Sequence, residues 1–234
     1  MPKTTFRSVR SRALSLPLWA RLFALALAAV PLGACAAQED SGDEVLAAHR
    51  PSFAGIPQQG DVLGVPSAKL TLEEFADLRC SHCRAFVDDT LPILLDRYVR
   101  AGKLRIVFHN LPILGQASTD AARMAAAVGL QGHEFEFVDA FFHRPTAMVS
   151  DDVLRAVAAQ IPGVDVEAAM AARTSQAVYD DLAGARALAL RYGIAGTPSF
   201  LLGKTGSDLQ ALQSARSNLP ETITGPIDAL LAEP

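Results

Sequence analysis

Along most of the chain the apolar positions follow one of two spacings, and the change from one to the other marks the elements. Between Lys69 and Phe75 the residues alternate. Leu70, Leu72 and Glu74 share one face and Thr71, Glu73 and Phe75 the other, the period-two pattern of a strand. From Ser81 to Ala101 the set Val87, Leu91, Leu94, Leu95 and Tyr98 has helical spacing. Pro92 lies inside that set and is expected to kink the helix, because it lacks an N–H and its ring crowds the preceding turn. Gly102 closes it. Leu104 to Phe108 is a short apolar run of the kind found in a buried strand. Strand, helix and strand between 69 and 108 make a βαβ unit, which predicts a parallel pair with a right-handed crossover. Asp61 to Gly64 is a weaker candidate for a short edge strand.

The stretch from Ser118 to Arg191 has a different texture. It is rich in Ala, lacks β-branched runs, and carries repeated helix-start signals. Ser118-Thr119-Asp120 is placed to cap a helix reaching Leu130, and Glu134 to His143 gives another. Ser150-Asp151-Asp152 caps one to Gln160, Asp165 caps Val166 to Arg173, and Ser175 precedes a helix to Tyr192. Phe135, Phe137, Phe141 and Phe142 fit the core of this block. The strand signal returns at Ser199 to Leu202 and, more weakly, at Leu209 to Gln213. Pro220 to Ala232 reads as a last helix. An α/β sheet interrupted by a helical block, over about 115–191, is the economical architecture.

The first 34 residues do not belong to this pattern. Their only charges are Lys3, Arg7, Arg10, Arg12 and Arg21, followed by an apolar run from Leu22 to Leu32. About 11 residues is short of the roughly 20 that span a bilayer. A basic segment followed by a short apolar one is expected to act as a secretory signal. Leu32-Gly33-Ala34-Cys35 resembles a lipobox, so residues 1–34 are expected to be a lipoprotein signal peptide and Cys35 the acylated residue. An ordinary cleavage site beside a chance cysteine is the weaker reading. Residues 35–60, polar and punctuated by Pro and Gly, are expected to form a flexible tether, with one helical turn at Val45 to Ala48. That leaves residues 61–234 as the folded domain, expected on the extracytoplasmic or periplasmic side of the bacterial cell envelope and lipid-anchored to a membrane.

Composition narrows the classes. With 50% hydrophobic and 20% charged residues, disorder over the whole length is excluded. With 21 Lys+Arg against 25 Asp+Glu, the formal charge of −4 argues against a general nucleic-acid binder. Three cysteines are too few for a disulfide scaffold. If Cys35 carries lipid, two thiols remain, and both lie in Cys80-Ser81-His82-Cys83.

That motif falls directly after a strand and opens a helix. Cys80 therefore sits where free N–H groups and the helix dipole favour a thiolate. A protonated His82 pushes the same way. Cys83, one turn further on, is expected to be less exposed and to act as the resolving thiol. A stable thiolate makes the corresponding disulfide a ready oxidant. Zinc is disfavoured because no second cysteine pair exists and the histidines are scattered. A purely structural disulfide would close a very small loop and stabilise little.

Glu74-Phe75-Ala76-Asp77-Leu78-Arg79-Cys80-Ser81-His82-Cys83 resembles the active-site segment of DsbA-type disulfide oxidoreductases. Gly196-Thr197-Pro198-Ser199-Phe200 resembles their cis-proline loop, and the helical block between the two resembles their helical insertion. The resemblance implies a thioredoxin-like fold with an inserted all-helical subdomain. It implies dithiol–disulfide exchange, probing cysteines of exported client proteins, with a membrane recycling partner and no cofactor or metal beyond the dithiol itself. Thr197 and Pro198 would then hold the client, and Glu74, on the Leu70/Leu72 face, would be a buried proton-relay acid, against the alternative of an exposed edge-strand carboxylate. Asp77 reads as a loop or cap residue. Oxidase is the first reading of the direction. The alternatives are a reductase or isomerase, a Cu(I)-binding lipoprotein using Cys80, Cys83 and His82, and an adapter that uses the fold only for binding.

Overall fold

The computed structural model describes residues 51–144, 146–212 and 220–233. The leader, Cys35 and the turn at Val45 to Ala48 lie outside the described residues. The elements in chain order are β1 (Gln58–Gln59), β2 (Val62–Leu63), β3 (Leu70–Ala76), a helical run α1 over 81–99, and β4 (Leu104–Asn110). Five helices follow: α2 (Gln116–Gly129), α3 (Glu134–Phe142), α4 (Asp151–Ala158), α5 (Val166–Ala172) and α6 (Gln176–Arg191). The chain then returns to the sheet as β5 (Ser199–Lys204) and β6 (Gln210–Ala211), and ends in α7 (Glu221–Ala232).

The sheet order is β1-β2-β4-β3-β5-β6. β3 and β4 are parallel, with Leu70 opposite Leu104 and Ala76 opposite Asn110, while β5 runs antiparallel to β3. β3 is thus the central strand, and both its faces are buried. On one face Leu70, Leu72 and Ala76 join Cys83, Phe86, Leu94, Ile223 and Ile227 in the main core. On the other, Phe75 packs with Leu111, Leu201 and Ala189 of α6. Helices therefore cover the sheet on both sides, and the period-two alternation of β3 sorts its residues between the two layers.

Three local expectations needed correction. The tether does not extend to residue 60. Phe53 and Ile56 are buried in the core, β1 pairs with β2, and Arg100 donates to the carbonyls of Ser52 and Ala54. Phe53 meets the Phe135 ring of α3, so two isolated apolar residues and the Arg100 cation suffice to dock this polar stretch. Ser118 does not cap α2. Gly115, at φ 100, is the N-cap, its carbonyl accepts the N–H groups of Ser118 and Thr119, and Ser118 is buried inside the helix. A φ in that range is costly for any residue with a Cβ, which is why glycine holds the position. The third concerns α1, which is not one kinked helix but an alternation: α-helix at Ser81–Ala85, a π turn at Phe86–Thr90, α-helix at Leu91–Leu94 and a second π turn at Leu95–Val99. The wide turn just before Pro92 accommodates the missing N–H and the ring without interrupting the run. Elsewhere the capping signals hold. The Ser150, Asp165 and Ser175 side chains accept the N–H groups of Val153, Ala168 and Val178.

Candidate active site

β3 ends at Ala76, and the next four residues turn sharply to deliver Cys80 to the start of α1. The turn is closed by the Cys80 N–H donating to the Asp77 carbonyl at 2.9 Å and the Arg79 N–H donating to the Asp77 carboxylate at 2.8 Å. The other carboxylate oxygen of Asp77 accepts the amides of Ile113 and Leu114 at 2.8 and 2.9 Å, so the loop after β4 is fastened to the same turn. Cys80 occupies the N-cap of α1 with extended φ and ψ of −80° and 120°. Cys80 is partly exposed, whereas Cys83, one turn on, is fully buried. Both are free thiols here.

The two sulfurs have opposite electrostatic surroundings. The Cys83 thiol, the Thr197 side chain and the main-chain N–H groups of Cys83 and His82 all act on Cys80. Against partial burial, they bring its pKa down to about 5. Cys83 is pushed strongly upward by burial, by its hydrogen bond to Cys80, and by the nearby charges of Glu74 and Cys80. One proton is thus held between two thiols and kept on the inner one. The help from His82 comes through its main-chain N–H. Its exposed imidazole lines a cleft of ≈ 470 Å³ together with Tyr192, Ile194, Thr197, Pro198 and Leu212.

The loop before β5 brings the second motif to the first. The Thr197–Pro198 peptide bond is cis, and the Cys80 sulfur lies 3.3 Å from the Thr197 carbonyl oxygen. Residues separated by 117 positions in the chain thereby share one site. Below them lies Glu74, 2% exposed, on the main-core face and flanked in register by Phe108 and Phe200. Its Oε1 has no hydrogen-bond partner among the described residues, and burial first, then the Cys80 charge, raises its pKa well above the usual carboxylate range. The buried reading of Glu74 is therefore the correct one. β3 is central, so the edge-strand alternative does not arise. Asp77 is the residue whose importance the sequence understated. Its one local signal was an Asp placed to accept the N–H two residues on, an Asx turn, and the long-range half of its bonding had no signal at all.

Residues 58–217 match the family model described as Thioredoxin. The chain belongs to the thioredoxin family. Among solved structures of that fold, it is similar to a thioredoxin-like oxidoreductase from Silicibacter pomeroyi DSS-3, with 27% identity, a TM-score of 0.58, and coverage of 75% of this chain and 94% of that one. BdbD from Bacillus subtilis shares the fold at 20% identity and a TM-score of 0.64, over 79% of this chain and 97% of that one. DsbA1 of Wolbachia pipientis does so at 22% identity and 0.61, over 81% and 96%. These likenesses show a thioredoxin-like fold of the DsbA type, with the helical insertion α2–α6 between β4 and β5. In sequence, the chain is 29% identical over 137 residues to a probable disulfide bond formation protein D of Bacillus cereus, and spans 59% of that protein's length and 56% of its own.

Proposed function

We propose that this thioredoxin-family chain is a thiol–disulfide oxidoreductase that forms disulfide bonds in exported proteins. The observation that carries this reading is the split between the two thiols of one motif, with Cys80 stabilised as a thiolate and Cys83 held protonated. A dithiol form stabilised in this way makes the Cys80–Cys83 disulfide the less favourable state, and hence an acceptor of electrons from clients.

The chemistry runs in two steps. A client thiolate attacks the Cys80 sulfur of the Cys80–Cys83 disulfide; the S–S bond breaks and Cys83 leaves as a thiolate, which takes a proton. A second client thiolate then attacks the client sulfur of the mixed disulfide, and Cys80 leaves as a thiolate, the good leaving group of the pair. The client loses two electrons and the protein gains them, so turnover requires a recycling oxidant on the same side of the membrane. Glu74, its pKa raised by burial, would give a proton to Cys83 in the first step and take one when Cys83 attacks in the reverse sense. Thr197 and Pro198, with the His82 imidazole, form the cleft along which an extended client segment would lie beside Cys80.

The relatives named as disulfide bond formation proteins support the oxidising direction. Measuring the Cys80–Cys83 potential against glutathione tests it. The expected value is well above the roughly −270 mV of a reducing thioredoxin; a value at or below that would make the protein a reductase. The reading of Leu32-Gly33-Ala34-Cys35 as a lipidation signal completes the proposal, since lipid at Cys35 would hold the enzyme at a membrane facing its clients. Cys35→Ala is expected to move the chain out of the membrane fraction with its exchange activity intact. Retention of the variant in membranes at high salt would refute the anchor.

A further inference from the structure

A second pocket has Cys80 in its lining and shares no lining residue with the cis-proline cleft. It has a volume of ≈ 270 Å³ and is lined by Cys80, Leu78 and Phe142 together with three arginines, Arg79, Arg84 and Arg144. Arg79 stands in the turn before Cys80 and Arg84 one helical turn after it. Arg144 arrives from the far end of α3, in the helical insertion. Its guanidinium lies 3.6 Å over the Phe141 ring, Nη1 donates to the Phe141 carbonyl at 2.6 Å, and Nε is buried without a partner among the described residues. Arg79 donates to the Leu114 carbonyl at 3.3 Å. Arg84 pairs with Asp88 at 3.4 Å, but the other oxygen of Asp88 is 2.9 Å from His143 Nε2. No acidic residue is found among the described residues lining the pocket. After burial, it is the charges of Arg79 and Arg84 that depress the Arg144 pKa.

Gathering three like charges around one concavity is unfavourable unless an anion enters it. Cys80 lines the concavity, so a molecule that bonds to Cys80 brings its neighbouring groups beside these cations. Guanidinium groups are suited to hold a carboxylate through paired N–H donors. We propose that Arg79, Arg84 and Arg144 form a subsite for an acidic side chain of the client, an Asp or Glu adjacent to the cysteine that joins Cys80. The inference rests on the exchange reading above and adds a preference to it. The preference runs against the charge of the whole chain, which is −4 and by itself would favour cationic clients.

The test uses the oxidised full chain and three peptides, each with two cysteines, that differ only in having Glu, Gln or Lys beside the reacting cysteine. Each oxidation rate is divided by that peptide's rate with a small neutral disulfide, which removes differences in intrinsic thiol reactivity. At low salt the expected order is Glu, then Gln, then Lys, with the extremes about tenfold apart, the lower end of what electrostatic steering supplies. At about 1 M salt, where screening acts over about 3 Å, the ratio is expected to fall towards one. Arg144→Gln is expected to lower the low-salt ratio, and Arg79→Gln, at an exposed position, does the same should the first variant not fold. A Gln peptide that is not oxidised at all would overturn the exchange reading. A Gln peptide oxidised normally, with Glu and Lys peptides equal at low salt, would overturn the subsite alone.

Discussion

Asp77 and Ile113 are joined across the mouth of the site, the Ile113 amide donating to the buried Asp77 carboxylate at 2.8 Å. The same oxygen takes the Leu114 amide, and its twin takes the Arg79 amide. One carboxylate therefore fixes both the turn that presents Cys80 and the loop that borders it. Its removal leaves three main-chain donors to be satisfied elsewhere. Asp77→Ala is expected to cost about 2–4 kcal/mol, since each donor stranded away from water costs roughly 1–3 kcal/mol and part of the loop regains solvent. The Cys80 pKa is expected to rise as the turn loosens. Denaturant unfolding and pH-dependent alkylation check the two effects separately.

Glu74 makes a different kind of prediction. Its pKa is raised in the fold, so folding favours the protonated acid. The stability it contributes is complete below the unfolded carboxylate value of about 4.3 and is lost as pH rises from there through the folded value. Glu74→Gln keeps the shape and removes the titration. The variant is expected to be more stable than the parent at neutral pH and to show a flatter stability profile above pH ~4. Proton transfer by a positioned acid contributes at least about a hundredfold, so the step in which Cys83 attacks a mixed disulfide is expected to slow by about a hundredfold or more. Unfolding at several pH values and single-turnover quenching measure these; an unchanged Cys83 rate would remove Glu74 from the proton path.

Much of this architecture was legible because it is local. The alternation from Leu70 to Phe75 placed β3, and the same alternation put Glu74 on the core face. Cys80 at a strand-to-helix junction needed only the order of the residues. The capping residues Ser150, Asp165 and Ser175 each act within three positions. What escaped was non-local or depended on backbone detail. Asp77 reaches Ile113 over 36 positions. Phe53 and Ile56 look like linker residues until the core, with Phe135 of α3, is there to receive them. The π turns of α1 shift the helical phase by less than the apolar pattern resolves, and Gly115 displaced Ser118 as a cap through a φ that the pattern of residue types does not record. Glu134 was read only as the start of a helix, although it is one of the most deeply buried acids of the described chain.

That residue supports a further prediction. Glu134 is 1% exposed, accepts from Asn110 Nδ2 at 2.7 Å, and has its pKa raised to about 8 by burial and then by the charge of Asp181, with Asp61 a smaller contributor. The folded value lies above the unfolded one, so the wild-type protein loses stability as pH climbs from about 4 to about 8 and no further through this group. Each pKa unit corresponds to about 1.4 kcal/mol. Glu134→Gln preserves the oxygen that meets Asn110 and is expected to recover a few kcal/mol at pH ~9, with little change at pH ~4. Equal stabilisation at both ends would mean that packing, not ionisation, is responsible.

The fold favours the thiolate at Cys80 and the protonated thiol at Cys83. The most direct measurement is the alkylation rate of each cysteine in the reduced full chain as a function of pH, with the labelled sites read by peptide mapping. Cys80 is expected to react along a single titration centred near pH 5, and Cys83 to stay unlabelled through neutral pH. A Cys80 midpoint near the ordinary thiol value of about 8.5, or faster labelling of Cys83, would contradict it.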